Sequence, residues 1–266
     1  VYLDIKTKVL VSKFKNVSIS IAFPSSAFSS ILSLVTKIKK RKNKEMSIYV
    51  FICGFAPFPF ILNSKSIFCF SFESEISIIP KEAFKKNSII RSVFVNNFIK
   101  VIEDSAFYQC SNLKLIGFEE PSIIDCISNH CFFKCPSLTS IKLPSSCKFI
   151  QDFALSECKS LELVDFNNAK VEKIGCSAFC NCTSLFMITI PSSVKEILSD
   201  AFKGCKSLNK VEFELPCSLT ELDIRTFEGC KSLSKISIPS SITKICDCCF
   251  KKCGLTELTF DDDSSL

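Results

Sequence analysis

Cysteine is the residue type that offers this chain the most chemistry, with 18 copies in 266 residues. A structural zinc site normally draws its ligands from two closely spaced Cys or His pairs. Two groups of cysteines are dense enough to test against that requirement, Cys176/Cys180/Cys182 and Cys246/Cys248/Cys249/Cys253. Neither group supplies two Cys-x-x-Cys pairs, so we expect no metal site and no cofactor.

Nucleophilic catalysis is the second chemistry to consider, because His130, the only histidine, directly precedes Cys131. A Cys–His dyad needs side chains within hydrogen-bond reach and a third group that orients the base, which adjacent turn residues seldom provide. No glycine-rich phosphate loop is present. The Asp261-Asp262-Asp263 run lacks the alternating ligands of a calcium loop. We therefore predict that the protein is not an enzyme.

Seven of the cysteines occupy one position of a repeated frame, Ala-Phe-x-x-Cys-x-Ser-Leu, which is clearest at residues 201–208. Copies of the frame begin at residues 83, 106, 131, 154, 178, 201, 226 and 249, in steps of 23 to 25 residues. Such a period is typical of a solenoid. Adjacent coils would place their cysteines about 4.8 Å apart with parallel side chains, an arrangement that favours small buried thiols over disulfides.

The remainder of each copy has the pattern of a half-buried strand followed by a turn. Leu185, Ile188 and Ile190 show the alternation of such a strand, and Pro191-Ser192-Ser193 ends it because proline cannot extend a ladder. The two long copies carry their extra residues after the strand, at Glu119-Glu120 and Glu214-Leu215. These patterns predict a β-rich solenoid with a parallel sheet and short helical or 3₁₀ turns at the Ala-Phe positions.

This frame resembles the BspA-like leucine-rich-repeat family, whose repeat reads roughly Ile-x-Ile-Pro-x-Ser-Val-x-x-Ile-x-x-x-Ala-Phe-x-x-Cys-x-Ser-Leu. Residues 183–208 match that pattern almost position for position, and the resemblance covers about residues 60–266. It implies a curved leucine-rich-repeat solenoid of the kind found on surface proteins that bind host or matrix proteins. The implied location is the cell surface or the extracellular space.

The outward positions of the long strands are the predicted binding surface, since solenoids commonly bind through their concave face. Two rows of residues share that face, one running from Gly117 to Thr259 and the other from Leu115 to Glu257. Leu163 and Met187 form the apolar excess on it, either as a contact patch or as ordinary surface. The candidate ligand-binding residues are Lys142, Leu163, Asp165, Met187, Thr189, Lys210, Glu212, Lys235 and Ser237.

Residues 1–59 form a different, basic and apolar segment, followed by the predicted solenoid of about eight coils and a final strand over residues 60–266. Residues 1–66 hold 11 Lys/Arg and 2 Asp/Glu, a net charge of +9, concentrated between Lys37 and Lys44. The remaining residues carry a net charge of −3, so we expect no nucleic-acid binding by the repeats. Residues 47–62 are either a signal or membrane anchor, which would bring membrane association, or a degenerate capping coil.

Two functions remain open at this stage. The first is a non-catalytic, adhesin-like protein that binds a protein partner through its strand face. The second is an intracellular structural scaffold, a location in the cytoplasm that the sequence leaves open. The final coil is also expected to leave Phe250 and Leu258 partly uncovered, because no further coil follows it in the sequence.

Overall fold

The computed structural model describes residues 77–261, together with four short strands that lie before them. Within these residues each repeat contributes one long strand, one short strand and one turn. In chain order the strands are β1 Leu3–Ile5, β2 Thr7–Val11, β3 Ile19–Ile21, β4 Cys69–Phe70, β5 Ile78–Ile79, β6 Ser92–Val95, β7 Val101–Ile102, β8 Leu115–Phe118, β9 Cys126–Ile127, β10 Ser140–Lys142, β11 Phe149–Ile150, β12 Leu163–Asp165, β13 Lys173–Ile174, β14 Met187–Ile190, β15 Glu196–Ile197, β16 Lys210–Phe213, β17 Glu221–Leu222, β18 Lys235–Ile238, β19 Lys244–Ile245 and β20 Glu257–Phe260.

Equivalent strands of successive coils pair in parallel, which confirms the predicted solenoid. The long strands form ladders in the orders β12-β10-β8-β6-β4, β14-β16 and β18-β20. The short strands form a second set, β15-β13-β11-β9, β17-β19 and β5-β7. The pairing of Phe70 with Val93 extends the repeat register back to β4, as the sequence pattern predicts.

The two predicted insertions explain where the short-strand ladder is interrupted. The extra residues lie between β8 and β9 and between β16 and β17, which confirms the loop in which they were expected. Short strands β9 and β17 each pair with the short strand of the following coil, β11 and β19 respectively. Neither pairs with the short strand of the preceding coil. A longer loop thus shifts the short strand out of the preceding ladder, while the stack continues beyond it.

The Ala-Phe turns are not helical in the described residues, which refines the predicted helical or 3₁₀ geometry. Successive backbone amides alternate between an acceptor within the same turn and an acceptor in the next coil. The Tyr108 N–H donates to Ser105 O at 3.0 Å, whereas the Phe107 N–H donates to Cys131 O of the next coil at 2.9 Å. Ser105 and Gln109 have φ angles of 58° and 56°, which interrupt any helical run. Each turn therefore adds a third line of backbone hydrogen bonds between coils.

Phenylalanine side chains stack along the interior of the turns. Phe202 is fully buried between Phe179 and Phe227, with ring centroids 5.2 and 5.5 Å apart and interplanar angles of 1° and 9°. The stack extends to Phe250 at one end, and a second stack joins Phe84 through Phe107 to Phe132. The predicted burial of Phe202 at a turn is confirmed.

The repeated cysteines form a second buried line, called here the cysteine column. Its members are Cys110, Cys135, Cys158, Cys182, Cys205, Cys230 and Cys253. Each Sγ–H donates to a turn carbonyl of the preceding coil, as Cys205 does to Phe179 O at 3.2 Å. The predicted burial is confirmed for the first six members, and the structure adds a hydrogen-bonding role that a purely apolar side chain could not perform.

The N-terminal region departs from the parallel pattern. Strands β1, β2 and β3 pair antiparallel, with Leu3 opposite Val9 and Val9 opposite Ile21, so they are not coils of the solenoid. The basic run at residues 37–44, the apolar run at residues 47–62 and the predicted boundary at residue 59 lie outside the described residues.

Candidate functional site

The nine candidate binding residues lie on five long strands, β10, β12, β14, β16 and β18, and form what we call the strand face. Strand β12 shows the underlying alternation: Leu163 and Asp165 are exposed while Val164 between them is buried. Met187 and Thr189 are half-buried, and the other predicted residues are exposed. The structure therefore places all nine on one outward surface, and their role in binding stays a prediction.

Parallel register brings these residues into rows. Lys142 pairs with Asp165, and Ser140 pairs with Leu163, on the neighbouring strands β10 and β12. Met187 pairs with Lys210 on strands β14 and β16. The rows are thus aligned within each ladder as the repeat spacing predicts.

No ladder joins β16 to β18 or β12 to β14, so the strand face is interrupted at both places. The turn that follows β12 adjoins the second of these interruptions. The coil that contains β12 lacks the Pro-Ser-Ser turn and has Phe166-Asn167-Asn168 at that point. Asn167 and Asn168 have φ angles of 49° and 59°, a left-handed conformation that asparagine tolerates better than most residues. This turn redirects the chain immediately after β12, next to the interruption.

A cleft of about 740 Å³ opens beside this interruption. Predicted residues Leu163, Asp165 and Thr189 contribute to its walls. The other lining residues come from the following loops and are Val164, Phe166, Asn167, Asn168, Ala169, Lys170, Pro191, Ser192, Ser193, Glu214, Pro216 and Ser218. The cleft combines apolar walls with amide, hydroxyl and carboxylate groups.

Charges on the C-terminal part of the strand face are paired within the protein. Lys210 Nζ lies 2.6 Å from Glu212 Oε1, and Lys235 Nζ lies 2.5 Å from Glu257 Oε2. The Lys210 ammonium holds the pKa of the Glu212 carboxyl below its usual range through a hydrogen bond and its charge. A partner that displaced these contacts would gain little, because each charge already has a counterion.

Lys142 and Asp165 differ from those pairs. Neither forms an ion pair among the described residues, although they are register neighbours on β10 and β12. Asp165 accepts the Asn167 N–H at 2.7 Å and has a second carboxylate oxygen for other donors. Leu163, two residues before Asp165 on β12 and opposite Ser140, keeps 47% of its surface exposed. Leu163 and Asp165 thus place an exposed apolar side chain and a carboxylate without an ion-pair partner among the described residues on the same strand, with Lys142 opposite Asp165. The charge of Lys142 also helps to lower the pKa of Glu120.

Of the described residues, His130 and Cys131 are the pair that the sequence analysis considered for nucleophilic catalysis. The His130 ring stacks on Phe153 with centroids 4.8 Å apart, on the outer side of the turns. Cys131 is fully buried, and burial raises the pKa of its thiol well above the usual value. An inaccessible protonated thiol cannot act as a nucleophile toward a substrate in solution.

The described residues also contain no group of three or more His, Cys, Asp or Glu side chains arranged to hold a metal ion. Within the same part of the chain, no helix has the length and apolar character needed to cross a membrane.

The sequence patterns did not predict the cleft, and they did not predict which charged side chains of the strand face form ion pairs. The Pro-Ser-Ser turn is missing after Asp165, but it is missing from several other copies too, so its absence did not by itself indicate a cleft. The pairing of Lys235 with Glu257 could be anticipated from their equivalent positions one repeat apart, because equivalent positions pair in a parallel stack. The absence of an ion pair between Lys142 and Asp165, which have the same relationship, required the structure.

Comparison with known proteins gives a family match. The sequence profile described as "BspA type Leucine rich repeat region" matches six copies over residues 60–169 and 159–265. No curated protein matches the chain in sequence.

Three solved structures illustrate what the chain is similar to. A leucine-rich repeat protein from Bacteroides ovatus is 18% identical, with 97% of this chain and 76% of that chain covered and a TM-score of 0.49. A leucine-rich cell surface protein from Faecalibacterium prausnitzii is 16% identical, with coverages of 99% and 95% and a TM-score of 0.34. A pneumococcal vaccine antigen is 16% identical, with coverages of 97% and 80% and a TM-score of 0.45.

Proposed function

Because the chain belongs to the BspA-type leucine-rich repeat family, we propose that it is a non-catalytic protein that binds a protein partner through its strand face. As the family resemblance implies, it acts at the cell surface as an adhesin-like module for host or matrix proteins. The observation that supports this role is the exposed Leu163 at the edge of the cleft, on the same strand as Asp165, a carboxylate without an ion-pair partner among the described residues, and beside the strand that carries Lys142.

Apolar burial and charge pairing favour partner binding at strands β10 and β12 over binding at the C-terminal part of the strand face. Burial of Leu163 against a partner removes apolar surface from water, and a partner can supply counterions to Lys142 and Asp165. Lys210 and Lys235 already have counterions, so a partner would add little at those positions. We therefore assign the binding centre to Lys142, Leu163 and Asp165, with Met187 and Thr189 beside it and the paired residues at the rim.

Affinity capture with matched variants tests this assignment. The full chain, Leu163→Asp and Lys235→Ala are immobilised in equal amounts and exposed to solubilised host-cell and matrix extracts, and retained proteins are quantified by mass spectrometry. A protein partner should be retained by the parent chain and by Lys235→Ala, and should be reduced at least about tenfold on Leu163→Asp. Equal retention by all three proteins, or greater loss on Lys235→Ala, would show that the centre is elsewhere.

The alternative function is an intracellular scaffold. Accessibility of the protein to protease in intact cells distinguishes this function from the surface role. Protease added to intact cells should degrade the tagged protein if it is displayed at the surface. Complete protection in intact cells, followed by digestion after lysis, would reject the surface role and favour the scaffold.

A further inference from the structure

Cys253 differs from the rest of the cysteine column in its accessibility. The other six members are buried, whereas Cys253 is half-buried. It lies in the turn between Phe250 and the last described strand, β20, whose four residues are all exposed. Small reagents therefore reach the column most easily at this member.

Cys253 also has a thiol neighbour in the preceding coil. Cys230 Sγ–H donates to Phe202 O at 3.3 Å, and Cys253 Sγ–H donates to Phe227 O at 2.9 Å, so the two side chains extend in the same direction one coil apart. The accepting carbonyls, Phe202 O and Phe227 O, occupy equivalent positions of successive turns. The column thus places a buried thiol directly beside an accessible one.

The environment favours ionisation of Cys253 over that of Cys230. The hydrogen bond from the Cys230 thiol lowers the pKa of Cys253, with further backbone hydrogen bonds from Cys230 and Gly229. The same contact raises the pKa of Cys230, and burial adds to that increase. The less buried sulfur carries the negative charge more easily because it keeps part of its hydration.

Thiols deeper in the cysteine column are harder to ionise than that of Cys253. Burial raises the pKa of Cys158 to about 12 and also raises that of Cys205. A buried protonated thiol reacts slowly with oxidants, since the thiolate is the reactive form. Reactivity should therefore be confined to the Cys253 end of the column.

We propose that Cys253 and Cys230 form an oxidant-sensitive thiol pair in which a hydroperoxide oxidises Cys253 and Cys230 then closes a disulfide between the two coils. In the first step the Cys253 sulfur attacks a peroxide oxygen, the O–O bond breaks, and a sulfenic acid and water form. In the second step the Cys230 sulfur attacks the Cys253 sulfur, the S–OH bond breaks, and hydroxide leaves as water with the Cys230 proton. With hydrogen peroxide, two thiols thus yield one disulfide and two waters.

The coil spacing is compatible with closure. Adjacent parallel strands lie about 4.8 Å apart, which is within the Cα separation that a disulfide spans. Parallel Cβ vectors oppose closure elsewhere in the column, and a small shift of one coil is needed to bring the sulfurs together. All four residues of β20, the strand that follows Cys253, are exposed, so fewer packed side chains oppose such a shift here than beside the buried members of the column.

Peptide mapping of the full chain tests the pair directly. Trypsin releases Cys230 in residues 226–231 and Cys253 in residues 253–266, each as the only cysteine of its peptide. The reduced protein is treated with one equivalent of hydrogen peroxide, alkylated with iodoacetamide and digested without reductant. The disulfide-linked pair of these two peptides should exceed any other linked pair roughly tenfold.

Two controls identify the roles of the two sulfurs. In Cys230→Ser, oxidation should stop at the sulfenic acid, which dimedone traps on residues 253–266. In denaturant, the preference for this linked pair should disappear, because it depends on stacked coils. The proposal is overturned if the native chain yields no 226–231/253–266 link, or if residues 245–251, which contain Cys246, Cys248 and Cys249, are oxidised first.

Discussion

Removal of the Phe202 ring is the most direct test of how this solenoid is held together. The ring is fully buried and stacks on a phenylalanine of the coil on each side, at 5.2 and 5.5 Å. Phe→Ala substitutions in protein cores cost about 3–5 kcal/mol. Each lost aromatic pair removes a further packing contribution of about 0.5–1.5 kcal/mol beyond area burial, so we expect the upper end of that range.

Urea unfolding followed by circular dichroism measures this effect, since the chain has no tryptophan. With a slope of about 3 kcal/mol/M, a loss of about 5 kcal/mol lowers the unfolding midpoint by roughly 1.7 M. Phe186→Ala is the matched control, because Phe186 is 46% exposed and lies on the outer surface. Its midpoint should shift by less than about a quarter of that amount.

Comparable shifts of the urea midpoint in Phe202→Ala and Phe186→Ala would refute the expectation that the aromatic stack stabilises the solenoid. Such a result would mean that the coils are stabilised by their backbone ladders, with little contribution from the aromatic stack. Hydrogen exchange can then locate the loss: in our account, protection falls in the coils on both sides of residue 202, because neighbouring coils in a solenoid stabilise each other.

Three further predictions address the turns, the insertion loop and the last described coil. Gly204→Ala should destabilise the protein more than Gly229→Ala, since both glycines have positive φ but a Cβ at residue 204 would collide with Asn181 Oδ1; urea midpoints should show this difference disappearing in an Asn181→Ala background. Burial raises the pKa of Glu120, but hydrogen bonds from Ser145 and Ser122 outweigh it and leave the pKa below its usual range. Its stabilising effect should therefore be present at neutral pH and lost between roughly pH 5 and pH 3, so the stabilities of the parent and Glu120→Gln should converge in urea titrations at low pH. The amide of Phe250 should exchange with solvent faster than that of Phe227, because Phe227 N–H donates to Cys249 O of the next coil and no described coil follows Phe250; equal protection in hydrogen-exchange mass spectrometry would show that the last coil is already covered.

The repeat frame was enough to predict the fold, because its positions have fixed structural roles. Phe202 is buried at a turn, Cys205 lies in the column and Ile188 points into the core, as their spacing indicates. Solenoids permit this kind of prediction because each coil contacts mainly its neighbours, so local patterns determine most of the packing. The antiparallel β1–β3 region follows no repeat, and the sequence pattern did not predict it.

The candidate site was only partly predictable for a related reason. Spacing placed Lys142 and Lys235 on the same face, but whether each would pair with a neighbour depends on side-chain reach and conformation. The hydrogen-bonding role of the cysteines was also hidden, since the accepting carbonyl belongs to the preceding coil. Patterns along one chain indicate which residues face inward or outward, and contacts between coils decide what those residues do.

The coil over residues 154–177 shows how a repetitive fold can acquire a specific site. It has Leu155 where the other copies have phenylalanine. It also lacks the Pro-Ser-Ser turn, as several other copies do, and its long strand is not joined to the next one, as is also true of β16. The same coil presents Leu163 and Asp165 beside the cleft. Copies that follow the frame have nearly the same backbone and so differ only in their outward side chains. The left-handed turn at Asn167 and Asn168 changes the backbone path beside the cleft, which is why we propose this coil as the centre of binding.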